Sequence, residues 1–148
     1  MEGSTIVERY ASASAETRYL VDRLLAADAD DRAWARQLGP VYRQADVARL
    51  LRKSKQAVSS DPHLIKLEMR RGDVGYPVFQ FDGPRLLAGI REVGGILRPA
   101  VETEWTVASW LTSPQPDLNG RRPLNLLRER QMEEVLAAAR RAARSLAA

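Results

Sequence analysis

Trp110-Leu111-Thr112-Ser113-Pro114-Gln115-Pro116-Asp117-Leu118-Asn119-Gly120-Arg121-Arg122-Pro123-Leu124-Asn125-Leu126-Leu127 is the stretch on which the reading of this chain turns. Trp110 and Leu111 form the apolar end of a short helix that begins near Glu104 and turns Trp105, Ala108 and Leu111 inward. Pro114 and Pro116 stop that helix, and Asn119-Gly120 tolerates positive φ, which predicts a tight turn. Pro123 has the fixed φ of a first helical position, and Leu124, Leu126 and Leu127 supply the packing face of the helix it opens. Downstream, Met132, Val135, Leu136, Ala139, Ala143 and Leu146 recur at helical spacing and define a long amphipathic helix.

Working back toward the N-terminus, Leu86, Ile90, Val93 and Leu97 fall on one helical stripe that Pro99 ends, and Gly94-Gly95 interrupts it. Before it lie two extended segments, residues 64–69 and 75–81, joined by Arg70-Arg71-Gly72-Asp73. Alternation of apolar and charged residues in the first, and a glycine between the two, predict a β-hairpin with Pro77 on an edge strand. Tyr76, Phe79 and Phe81 read as its core residues. Arg70 and Arg71 sit at the tip, either as a wing that touches phosphate or as a solvated basic turn.

Residues 44–52 carry Val47, Leu50 and Leu51 on one face, and after a break at Lys53 the hydroxyl of Ser54 is placed to cap a second helix, 55–60. A helix, a short turn and a second helix have the form of a helix-turn-helix, whose second helix presents its early polar side chains to base edges. Here those are Ser54, Lys55, Gln56 and Ser59, with Gln suited to adenine and Lys to guanine or phosphate. The turn lacks glycine and Asp61-Pro62 ends the second helix early, so a plain pair of packed helices is the competing reading. Farther upstream, Ser14 caps a helix over 14–28, and Asp30 starts a short one that holds Trp34 and Leu38 and ends at Gly39-Pro40.

The set Trp110-Leu111, Pro114, Leu118-Asn119-Gly120, Pro123-Leu124, Leu127 and Val135, in this order and spacing, resembles the toxin-binding domain of the Xre/MbcA/ParS antitoxins. The likeness extends over roughly residues 44–146, and Tyr76-Pro77-Val78-Phe79-Gln80-Phe81-Asp82-Gly83 is similar to the segment after the helix-turn-helix in one branch of that family. It implies an antitoxin that represses its own operon and covers a RES-type, NAD-consuming toxin. The fold expected is mainly α: a helix-turn-helix bundle with one small β-hairpin and a C-terminal helical toxin-binding subdomain. Three parts follow: an N-terminal helical extension over 1–43, the helix-turn-helix with its hairpin over 44–83, and the toxin-binding domain over 84–148.

Such an inhibitor needs no catalytic group and no cofactor; it needs an apolar surface with a polar rim. Arg128, Arg130, Arg140, Arg141 and Arg144 are its candidate toxin contacts, against the plain alternative of a solvated helix face. The chain departs from the family pattern in its last residues, where Arg144-Ser145-Leu146-Ala147-Ala148 replaces a glycine-containing tail. An orphan DNA-binding regulator without a toxin, or an interaction module without DNA binding, are the alternatives.

Composition fits these readings. The 148 residues are 45% hydrophobic and 28% charged, enough for one domain or two small subdomains on a shared core. There is no Cys and a single His, His63, which removes disulfides, thiolate catalysis and a His/Cys metal cluster. A net charge of +4 favours polyanion contact. Met1-Glu2-Gly3-Ser4-Thr5 lacks the basic start of a signal peptide and no apolar run is membrane-length, so a cytoplasmic homodimer that reads paired half-sites, away from membranes, is expected. Glu102, Glu104, Glu133 and Glu134 are the acid/base candidates, but no nucleophile elbow or phosphate loop accompanies them.

Overall fold

A computed structural model describes residues 6–69 and 72–148. The chain divides into two compact units, Met1–Arg36 and Gln37–Ala148. In the first, α1 (Ile6–Ser12) precedes α2 (Ala15–Leu38), whose last two residues belong to the second unit. The Ser14 hydroxyl accepts from the Thr17 amide at 3.2 Å, as a cap should. Instead of breaking at Asp30, α2 runs on as one helix of 24 residues. No Gly or Pro interrupts it, and the alanines around the aspartates favour helix by more than a single Asp opposes it. Gly39, with φ of 76°, ends it as expected. Leu24 is 71% exposed and Tyr19 and Leu20 are also exposed, so these side chains are not core.

The second unit opens with β1 (Val41–Tyr42), α3 (Gln44–Leu51) and α4 (Lys55–Ser60). The Asp46 carboxylate accepts from the Arg43 amide at 3.1 Å at the start of α3. Then come β2 (Leu67–Glu68), β3 (Val74–Pro77), a 3₁₀ turn over Val78–Gln80, β4 (Phe81–Asp82) and β5 (Arg85–Leu86). The hairpin is present, with Leu67 opposite Gly75 and Glu68 opposite Val74. It is shorter than the sequence suggests, because Val78–Gln80 leaves the strand as a 3₁₀ turn. The strands order β1-β3-β2, so Pro77 lies on the central strand and not on an edge. At Pro77 only Val41 of β1 is opposite, β2 having already turned away, so no ladder bond is lost to the missing N–H. A second hairpin, β4 with β5, takes up Leu86, which the helical stripe had claimed.

Helix α5 (Ile90–Leu97) begins after Gly89 and passes straight through Gly94-Gly95, correcting the expected interruption. Gly94 is buried beneath Arg98: a Cβ there would meet the Arg98 guanidinium at 2.3 Å. Helices α6 (Glu104–Thr112), α7 (Pro123–Arg128) and α8 (Met132–Ala147) complete the unit, with a 3₁₀ turn at Pro116–Leu118. Ile90, Val93, Leu97, Val107, Leu111, Leu126, Leu127 and Val135 form the main core. A smaller core under α3 and α4 gathers Val47, Val58, Leu64 and Tyr76. Among the described residues no helix is long and apolar enough to cross a membrane.

Candidate functional site

Helices α3 and α4 meet through a three-residue turn, and Val47 and Val58 lock them together in the smaller core. Lacking a glycine, the turn is made by Arg52 in the left-handed region, φ 55° and ψ 47°. The Lys53 amide reaches back to the Ala48 carbonyl at 3.0 Å and the Arg52 amide to Arg49, which is a Schellman closure with arginine in the position glycine usually fills. Ser54 then caps α4, its hydroxyl accepting from the Ala57 amide at 3.0 Å. Gln44 pins the two helices by donating to the Lys55 carbonyl at 2.6 Å.

Of the six residues of α4 only Val58 is buried, so Lys55, Gln56 and Ser59 all stand on the exposed surface beside Ser54. Lys66 donates to the Ser59 carbonyl at 3.2 Å and so fastens the far end of α4. Arg70 and Arg71 lie outside the described residues. Sequence reasoning missed how charge is distributed here. Of 23 basic and 19 acidic residues in the chain, Arg43, Arg49, Arg52, Lys53, Lys55 and Lys66 against only Asp46 and Asp61 fall between positions 43 and 66, which accounts for the whole +4. All six basic residues are exposed, and a surface of this kind attracts polyanions. Counting charge by segment would have found it.

In the C-terminal region, the stretch between α6 and α7 is closed by its own backbone. Gln115 and Arg121 form an isolated antiparallel bridge, with the Gln115 amide donating to the Arg121 carbonyl at 3.1 Å and Gly120 donating to Gln115 at 2.9 Å. Asn119 and Gly120 take φ of 57° and 77°, as that pair was expected to. The Gln115 side chain donates to the Trp110 carbonyl at 3.0 Å and holds the end of α6.

The five candidate arginines are not one cluster of equivalent groups. Arg141 is bound to Asp117 at 2.9 Å, tying α8 to the 3₁₀ turn. Arg140 and Arg144 are exposed on α8. Arg130 makes the α7–α8 corner at φ 62°, with Gln131 donating to Leu126 at 2.9 Å and Arg130 to Leu127 at 3.0 Å, a second Schellman closure built on arginine. Arg128, exposed at the end of α7, borders a cavity that Arg122 and Asn125 also line. Among the acid/base candidates, Glu104 is held by Arg98 through two bonds of 2.9 and 3.0 Å, while Glu102, Glu133 and Glu134 are exposed. Among the described residues no three metal-binding side chains gather.

Comparison with solved structures finds the NMR structure of Rv2175c similar in fold: 24% identity over 70% of this chain and 81% of that one, with a TM-score of 0.61. No curated protein sequence matches the chain. Leu97 through Ala138, which run from the end of α5 through α6, the bridged turn and α7 into α8, match the family described as the antitoxin Xre/MbcA/ParS C-terminal toxin-binding domain.

Proposed function

We propose that this protein is the antitoxin of a type II toxin–antitoxin pair, one that neutralises a RES-type, NAD-consuming toxin by covering its active site and represses its own operon as a DNA-binding homodimer. The observation that carries the reading is the toxin-binding domain match over residues 97–138. The DNA half draws on the helix-turn-helix geometry of α3 and α4, with Lys55, Gln56 and Ser59 exposed inside a strongly basic segment. In this reading Arg70 and Arg71 extend the phosphate contact. Arg128, Arg130, Arg140 and Arg144 face the toxin's carboxylates, and Arg141 joins them only by leaving Asp117. The protein acts in the cytoplasm and performs no catalysis of its own.

The test is a pair of binding measurements on the full chain. A fragment of its own promoter should be retarded at low salt, and Lys55→Ala with Gln56→Ala should abolish that retardation while the product of the neighbouring gene still co-purifies. Retardation without toxin capture leaves an orphan regulator. Toxin capture with unaltered promoter mobility leaves an interaction module in which α3 and α4 are scaffold.

A further inference from the structure

A cavity of about 400 Å³ opens in the second unit between the end of α2, the 3₁₀ turn before β4, and α7. Leu38, Phe79 and Leu124 are buried in its wall and Phe81 is half-buried. Arg122, the residue just before α7, and Asn125 and Arg128 within it also line the cavity. Gln37 and Thr112 are also among its lining residues, and the Gln37 amide nitrogen is spent on the Thr112 and Ser113 hydroxyls at 3.0 and 2.9 Å.

Among the described residues, no acidic one lines this cavity. Arg98, Arg121 and Arg141 in the same half of the chain are each matched to a carboxylate, Glu104, Glu129 and Asp117. Arg122 and Arg128 have no such partner among the described residues. A concave, largely apolar cavity of small-molecule size, lined also by two uncompensated arginines, is a recognisable combination. Guanidinium forks bind phosphate through paired hydrogen bonds, and an aromatic wall takes a ring.

We propose that this cavity binds a nucleotide-sized organic anion, with phosphate oxygens on Arg122 and Arg128 and the ring body against Phe81 and Leu124. The site is separate from the basic surface of α3 and α4 but shares Arg128 with the proposed toxin face, so the bound anion and a toxin carboxylate compete for that guanidinium. Its occupant touches both α7 of the toxin-binding domain and Phe81, whose ring meets Tyr42 of the smaller core at 5.8 Å between centroids.

Titration of ¹⁵N-labelled full-length protein with ADP tests it, with adenosine and pyrophosphate as separate probes of ring and phosphate. Saturable shifts are expected at the Phe81, Thr112 and Asn125 amides with ADP, and weaker binding of either half alone. Arg122→Ala and Arg128→Ala should each weaken ADP about tenfold, the usual cost of one charged hydrogen-bonding group. Both residues are exposed, so the variants should fold, and Arg122→Lys or Arg128→Lys should also weaken ADP because the paired geometry is lost. Arg91→Ala, on α5, should bind ADP as the parent does. Four results would each overturn the assignment: no saturable shift at millimolar ADP, shifts confined to α3 and α4, unchanged affinity in both alanine variants, or pyrophosphate binding as tightly as ADP.

Discussion

The side-chain amide of Gln80 pairs with the backbone of Ile65 as a neighbouring strand would. Its Oε1 accepts from the Ile65 amide at 2.7 Å and its Nε2 donates to the Ile65 carbonyl at 2.9 Å and to Pro77 at 3.1 Å. Both residues are fully buried, and the amide is satisfied on both atoms. This explains why the predicted strand from Leu64 does not begin until Leu67: Ile65 finds its partners in a side chain instead of a ladder. Gln80→Leu keeps the volume but removes all three of these hydrogen bonds to buried backbone, and should cost about 2–5 kcal/mol. Urea unfolding measures it, and a loss under 1 kcal/mol would mean that the clamp is not formed.

Arg52 and Arg130 occupy left-handed positions that favour glycine. Releasing that strain is worth about 1–2 kcal/mol, less the entropy that glycine adds to the unfolded chain. Arg52→Gly and Arg130→Gly should therefore each raise stability by about 0.5–1 kcal/mol. If Arg52 also contacts phosphate, its glycine variant will be more stable yet bind promoter DNA less tightly, with a shallower dependence on salt. Thermal unfolding and fluorescence anisotropy separate the two effects.

Gly89 starts α5 with φ of 98°, and a Cβ there would lie 2.4 Å from Leu127 Cδ2. Leu127 is itself in the main core, where neighbours have little room to give. Gly89→Ala should thus destabilise by about 2–4 kcal/mol through strain and overpacking together. A thermal midpoint equal to that of the parent protein would show that Leu127 can move aside.

Tyr76 is 1% exposed in the smaller core, and burial raises its phenol above the usual 10.0. A folded-state value above the unfolded one means the native state keeps its proton longer, so this contribution is intact below about pH 10 and falls as pH rises past it. Stability measured from pH 8 to 11 should drop more steeply in the parent than in Tyr76→Phe. Parallel curves would remove the phenol as the cause.

Helix starts and stops were legible because they are local. Ser14 and Ser54 cap, Gly39 terminates, Asn119-Gly120 turns and Pro123 opens a helix, each through the conformational limits or the donors of one or two residues. Leu124, Leu126, Leu127 and Val135 declared their burial by spacing. The candidate arginines were harder to read, since exposed charge has no period: nothing in the order of residues says that Arg141 reaches Asp117, 24 positions away, or that Arg122 and Arg128 share a cavity wall with Phe79.

By itself, then, the sequence determined the helical class, the caps and turns, and the antitoxin-like signature between Trp110 and Val135. Tertiary structure alone decided that Pro77 sits on a central strand, that Gln80 stands in for a strand beside Ile65, and that Leu86 leaves its helical stripe for a second hairpin. Caps and glycine turns are set by the dihedral limits of neighbouring residues, whereas strand partners, buried amides and ion pairs depend on which distant groups remain unsatisfied once the chain has collapsed.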